Sequence, residues 1–160
     1  MNAYTDRILG YLSDQDPIAV LEASPARLHE LFEAFADPDW ERSYAPGKWS
    51  ARDLVAHLAD AELGMGFRLR QVLAGAPIQS WDQDAWASRY QRLEPSLAVE
   101  TFRALRAWNL ALLTTFTLDD WLAEAPHPEL GPLSVDMMVR MLAGHDLNHL
   151  RQLEQIAAGL

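Results

Sequence analysis

Three of the five histidines in this 160-residue chain are spaced as metal ligands. His145 and His149 stand four residues apart, so on a helix their rings leave one face about one turn apart and can chelate one ion. His57 lies in an apolar stretch, where an unpaired imidazole is costly to bury. Taken alone, His57 could be a core histidine with one hydrogen bond. The presence of the pair His145 and His149 favours the interpretation of His57 as a metal ligand. The three together predict one divalent metal with an open coordination position.

Neighbouring polar residues supply candidates for supporting roles. Asp60, Asp146 and Asn148 lie close enough in sequence to anchor imidazole N–H groups or reach a pocket, although each is equally compatible with a solvated surface. Arg68 follows His57 by eleven residues, three helical turns, and so points the same way about 16 Å along the axis. It could bind an anionic group of an elongated substrate or form a salt bridge inside the fold. Imidazole suits Zn, Ni, Cu and Fe, so these residues leave the metal open.

The spacing His-x-x-x-His also occurs in zincin metalloproteases, where a glutamate after the first histidine is the general base. Here Asp146 occupies that place. Its side chain is shorter and projects about 100° away from the ligand face, so it would reach a metal-bound water poorly. The third histidine also lies upstream instead of downstream. The pattern therefore argues against a peptidase.

The elements that must position these histidines are helices. Nine prolines fall mostly between long proline-free stretches with apolar residues at helical spacing, and Ser50 and Ser134 stand where N-caps belong. No alternating apolar run and no Asn-Gly or Asp-Gly turn appears, which predicts little or no sheet. One or two helical turns are expected in the first 23 residues, and Ser24-Pro25 should open a shorter helix. The result is an all-α four-helix bundle, with helices near 25–36, 51–74, 96–117 and 134–157.

Two connections, 75–95 and 118–133, are long for so short a chain and could cover a site. The first carries an aromatic and acidic cluster that includes Asp84 and Trp86. Such a cluster either packs on itself as an ordered loop or faces a ligand, and the two alternatives are equally favoured.

Composition excludes several classes of function. The net charge of -10 would repel nucleic acid on balance, and neither a signal pattern nor an apolar run long enough for a membrane span is present. We expect one domain over residues 1–160, in the cytoplasm. Because the chain has no cysteine, it lacks disulfides, thiolate metal ligands and a cysteine nucleophile.

These motifs resemble the DinB/YfiT-like family of four-helix-bundle metalloenzymes, which is unrelated to the DNA polymerase that shares the name DinB. The resemblance covers most of the chain. In that family, a histidine early in the second helix joins two histidines four apart in the last helix to bind Zn or Ni, and all three positions match here. The motifs that carry the resemblance are Pro46-Gly47-Lys48-Trp49-Ser50, Ala56-His57-Leu58, Asp82-Gln83-Asp84-Ala85-Trp86 and Gly144-His145-Asp146-Leu147-Asn148-His149-Leu150.

The resemblance also implies an architecture and a range of activities. Helices two and three of the family bundle are parallel, which requires a long crossover loop such as 75–95, and many members are homodimers. Some members transfer bacillithiol, mycothiol or glutathione to small electrophiles, with the metal lowering the pKa of the thiol. Others resemble hydrolases that activate water. A thiol S-transferase is the leading interpretation, with a small-molecule hydrolase or a non-catalytic, metal-stabilised stress-response protein as alternatives.

Overall fold

The computed structural model describes residues 3–159 as an all-α bundle with one small hairpin. Two helices precede the first predicted metal ligand, and three more helices and the hairpin separate it from the last helix. Among these residues, no helix is long and apolar enough to cross a membrane. The helices are α1 (Ala3–Leu12), α2 (Pro17–Ala34), α3 (Ala51–Leu73), α4 (Gln83–Ala87), α5 (Pro95–Leu113), α6 (Leu118–Leu122) and α7 (Val135–Ala157), and the strands are β1 (Glu124–His127) and β2 (Gly131–Ser134).

The four long helices α2, α3, α5 and α7 form the bundle around two apolar clusters, one toward each end. The N-terminal half of α3 shares the first cluster with the start of α5 and the end of α7. Its C-terminal half shares the second cluster with the end of α5 and the start of α7. Helices α3 and α5 are therefore parallel, and α7 runs antiparallel to both. The expected long crossover is also present, since residues 74–94 connect the end of α3 to the start of α5.

The predicted starts of the two ligand-bearing helices are confirmed by their caps. The Ser50 hydroxyl accepts a hydrogen bond from the Asp53 amide, and the Asp53 carboxylate accepts one from the Ser50 amide. The Ser134 hydroxyl accepts a hydrogen bond from the Met137 amide at the start of α7. Helix α5 ends at Leu113, four residues earlier than predicted, because Thr117 begins α6 with a capping box of its own.

The N-terminal region differs from the prediction. Helix α2 begins at Pro17, capped by Asp16, and α1 is a ten-residue helix instead of one or two turns. Pro25 lies inside α2 and cannot donate a hydrogen bond to the carbonyl of Leu21, four residues earlier. The guanidinium of Arg106 donates to that carbonyl instead, at 2.9 Å. A tertiary contact thus satisfies the group that the proline leaves unpaired.

A two-stranded antiparallel hairpin was not specifically predicted in the second long connection. His127 pairs with Gly131 across a three-residue loop, and Gly131 has a φ of +75°. A short hairpin loop next to a left-handed glycine is a common alternative to the Asn-Gly and Asp-Gly turns. The hairpin lies beside the crossover, because the Ile78 amide donates to the Pro126 carbonyl.

Candidate metal centre

The structure brings the three predicted histidines together between α3 and α7. The Nε2 atoms of His57 and His145 are 2.9 Å apart, and one ligand nitrogen from each of the three rings lies within 4.8 Å of the others. Two nitrogens bound at 2.0–2.1 Å to one tetrahedral ion would be separated by about 3.3 Å. Small ring movements therefore suffice to place all three on one ion.

Helix packing explains why the rings meet. His57 lies in the second turn of α3, and the antiparallel α7 carries the other two histidines on one face at the same level. Gly144 permits α1 to pack directly against α7, since a Cβ atom at that position would overlap the Ile8 carbonyl oxygen. This close approach puts α1 over the same part of α7 that carries the ligands.

Burial makes all three imidazoles neutral at physiological pH. Burial lowers the pKa of His57 to about 3, with a further contribution from His149. It lowers the pKa of His149 to about 4, although Gln152 and Asp146 act in the opposite direction. The pKa of His145 is also well below its usual value, again because of burial first. Neutral rings have the lone pairs that a metal requires, so this donor set fits a divalent ion.

Hydrogen bonding and aromatic packing orient two of the rings. The Nδ1–H of His149 faces the Gln152 side-chain oxygen at 2.7 Å, which leaves the lone pair on Nε2, toward the other histidines. Trp49 packs against His57 and His149 with ring centroids 4.7 and 6.5 Å away. Gln152 was missed in the sequence, although its position three residues after a ligand on the same helix was the available signal.

A cavity of about 210 Å³ opens beside the cluster. His57 and His145 form part of its wall, whereas His149 is not among the described residues that line it. The side of the cluster that faces the cavity is therefore the accessible one. The wall combines residues of α1, α3 and α7, which are mostly apolar apart from Arg68, with residues of the crossover and the hairpin, and includes Ile8, Ala61, Met65, Leu142, Arg68, Ser80, Trp81, Gln83, His127 and Glu129.

The predicted supporting residues near the ligands have other contacts. The Asp146 carboxylate is buried and accepts a hydrogen bond from Arg106 at 2.7 Å. The Asp60 carboxylate accepts one from the hydroxyl of Tyr90, at 2.9 Å. Asn148 is buried on α7. The ion pair with Arg106 thus gives Asp146 a structural role, which agrees with the argument against Asp146 as a zincin-like general base.

Of the three more distant predicted residues, Arg68 belongs to the cavity wall, whereas Asp84 and Trp86 are not among the described residues that line it. Arg68 lines it, and its guanidinium lies 3.9 Å from the centre of the Trp81 ring. Trp86 stacks on the Trp81 ring, with centroids 5.6 Å apart, and so supports the cavity wall through Trp81. Asp84 is exposed in the first turn of α4, where its amide donates to Asp82.

Sequence reasoning missed a buried ionic network next to the cluster. Arg106 is 1% exposed and contacts the carboxylates of Glu62 and Asp146, each at 2.7 Å. Asn109 donates to the Glu62 carboxylate at 2.8 Å. Burial alone would lower the pKa of Arg106, but its two carboxylate partners raise it overall. A salt bridge inside the bundle had been one alternative for Arg68, yet none of the ion pairs among residues 3–159 includes that residue.

Most of the chain matches the sequence profile of a known protein family. A sequence profile of the DinB superfamily matches residues 20–153, a range that contains all three histidines. A relative from Oceanobacillus iheyensis is 30% identical over 143 residues, which are 84% of this chain and 79% of the relative. YfiT from Bacillus subtilis is 25% identical over 145 residues, 88% of this chain and 82% of YfiT. Both relatives are named as proposed metal-dependent hydrolases.

Solved structures share the fold. The structure of Bacillus subtilis YfiT, described as a four-helix bundle of unusual topology, has a TM-score of 0.84 at 24% identity and covers 89% of this chain and 85% of that one. A mycothiol-dependent maleylpyruvate isomerase has a TM-score of 0.73 at 13% identity and covers 96% of this chain and 63% of that one. These similarities show the four-helix-bundle fold.

Substitution of the histidines tests the metal centre. We expect His57→Ala and His149→Ala each to lose most of the metal that the unmodified protein binds, because two imidazoles alone hold a divalent ion weakly. Elemental analysis of purified, dialysed protein gives the stoichiometry. His29→Ala is the matched control, since His29 is exposed on α2 and outside the cluster. Full stoichiometric metal in either cluster variant would refute the assigned site.

Proposed function

Because this chain belongs to the DinB superfamily, as its motifs predicted, we propose that it is a metal-dependent enzyme that transfers a small thiol to an electrophilic small molecule. The observation that carries the proposal is the convergence of three neutral imidazoles at the wall of a cavity. His57, His145 and His149 would hold one divalent ion, with zinc or nickel as the preferred candidates. When bound, that ion supplies a Lewis acid that lowers the pKa of a thiol or water at its open position.

The lining of the cavity favours a thiol over water as the nucleophile. Hydrolysis by activated water profits from a general base close to the metal, as the glutamate of zincins provides. Here Asp146 forms an ion pair with Arg106. Among the described residues that line the cavity, the one with a carboxylate is Glu129, which is exposed on the hairpin loop. The part of the wall formed by Ala61 and Met65 is apolar. A thiolate needs no such base once its pKa is lowered.

The chain would bring the reactants together without contributing the nucleophile. It has no cysteine, so the thiol arrives on a cosubstrate such as bacillithiol, mycothiol or glutathione. A new S–C bond forms, the thiol proton is released, and the leaving group of the electrophile departs with its electron pair. Ile8, Met65 and Leu142 exclude water from the reacting atoms. That a solved protein of this fold is named as mycothiol-dependent supports this class of cosubstrate.

Hydrolysis is the second candidate, favoured by the names of the relatives. It predicts turnover of an ester or amide by the metal-loaded protein without any thiol. The two functions therefore differ in whether a thiol is required.

A thiol-by-electrophile screen on protein of known metal content tests the proposal. We expect bacillithiol, mycothiol or glutathione to form a conjugate with monobromobimane faster than the uncatalysed reaction, and metal stripping or His57→Ala to abolish the difference. Mass spectrometry identifies the conjugate, and His29→Ala should retain full activity. The absence of metal-dependent conjugate with all three thiols would contradict the proposal, and thiol-independent ester cleavage would support the hydrolase instead.

We further propose that the protein is a homodimer. Four large apolar side chains are more than half exposed on α3 and α5, which pack together: Leu63 at 52%, Phe67 at 55%, Leu97 at 65% and Trp108 at 68%. Exposed apolar surface of this kind is typical of an interface.

Sedimentation velocity tests the dimer. The unmodified protein should sediment at twice the monomer mass of 18.0 kDa, and Phe67→Glu and Trp108→Glu should shift it to monomer because a charge replaces buried apolar surface. Leu118→Glu, at a 73% exposed position on α6, is the control that should leave the dimer intact. A monomer throughout the micromolar range for the unmodified protein would contradict the proposal.

A further inference from the structure

The wall of the cavity contains a cation that forms no ion pair. Arg68 lines the cavity that His57 and His145 also line. Its Nε donates to the Gln79 carbonyl at 3.1 Å, whereas Nη1 has only the Met65 sulfur at 3.9 Å. Among residues 3–159, no carboxylate forms an ion pair with it. The outer edge of a guanidinium, which binds carboxylates through two parallel hydrogen bonds, thus remains available.

The guanidinium is held in place by packing. Trp81 lies beneath it at 3.9 Å, and the Trp81 ring sits against α3 where Gly64 leaves room, since a Cβ at Gly64 would lie 2.6 Å from that ring. Trp86 stacks on the same ring. A planar cation fixed on an aromatic face loses little conformational entropy when it binds a ligand.

The surroundings of Arg68 complement an anion. Burial lowers the pKa of Arg68 only to about 10, so the group stays charged at neutral pH. His127 also lines the cavity, and its Nδ1 accepts hydrogen bonds from the amides of Glu129 and Leu130. The ring proton is therefore on Nε2, which makes His127 a donor. The carboxylate of Glu129 lies near enough to raise the pKa of Arg68 and so offsets part of the effect of burial, but Glu129 is exposed, and Ser80 donates to it at 3.4 Å.

We infer that Arg68 and His127 form a carboxylate-binding subsite. One of the two reactants, the thiol or its electrophile, then carries a carboxylate that reaches this subsite while its reacting atom lies at the metal centre. The inference rests on the proposed function for the identity of the reacting end. Side chains on a helix lean toward its N-terminus, so Arg68 leans back along α3 toward His57. The distance between metal and guanidinium then selects molecules of one length, and Arg68 is a specificity-determining residue.

A series of hydroxamates measures that distance. The hydroxamate end binds a metal with an open position, and the other end carries either a carboxylate or a methyl group, with two to six methylenes between them. Titration calorimetry on zinc-loaded protein should show that the carboxylate improves affinity about 10- to 100-fold at one optimum length. In Arg68→Gln the improvement should disappear, in Arg68→Lys it should shrink, and in Arg151→Gln, an exposed arginine on α7, it should persist. Equal binding of both series at every length would overturn the inference.

A second measurement does not depend on the metal. On metal-free protein, hexanoate should shift the indole N–H resonance of Trp81 in NMR spectra, whereas hexanamide should not, and Arg68→Gln should abolish the shift. Failure of every hydroxamate to bind, together with a hexanoate-specific shift, would contradict the open metal position and support the subsite. Equal shifts from hexanoate and hexanamide would overturn the subsite whatever the metal does.

Discussion

The bundle depends on one buried arginine. Arg106 on α5 donates to the Leu21 carbonyl of α2, the Glu62 carboxylate of α3 and the Asp146 carboxylate of α7, so a single side chain connects all four long helices. Loss of one partner of such a pair leaves an uncompensated buried charge, at a cost of about 3–5 kcal/mol. The same contact satisfies the carbonyl that Pro25 leaves without a donor. This arginine therefore fixes both the spacing of the helices and the path of α2.

The ion pairs of Arg106 affect the metal centre in two ways, through the orientation of α7 and through the charge near the histidines. Asp146 adjoins His145 in sequence, so the ion pair with Arg106 sets the rotation of α7 about its axis and turns both histidines toward His57. Arg106, Glu62 and Asp146 together carry one net negative charge behind the cluster. A buried negative charge offsets part of the cost of placing a divalent cation between three neutral imidazoles. The residues that hold the helices together thus also favour metal binding at this level of the bundle.

Periodic signals gave correct predictions, whereas signals that depend on tertiary partners did not. The capping residues Ser50 and Ser134 and the helical spacing of apolar residues predicted α3 and α7 to within about one residue, and histidine spacing predicted the cluster. Pro25 was interpreted as a helix start because nothing local shows that Arg106 replaces its missing hydrogen bond. Arg106 itself stands among apolar residues of α5 without any motif. Its role follows from partners 40 and 44 residues away, which a single sequence does not reveal.

The proposed chemistry depends on one metal ion that three imidazoles hold, with one position open to the cavity. X-ray absorption spectroscopy of the zinc-loaded protein tests it most directly. We expect three imidazole nitrogens at about 2.0–2.1 Å and one further light atom, which a sulfur at about 2.3 Å replaces when the thiol cosubstrate is added. A spectrum that requires four protein ligands, or one that does not change with any thiol, would contradict an open catalytic position and indicate a closed structural site.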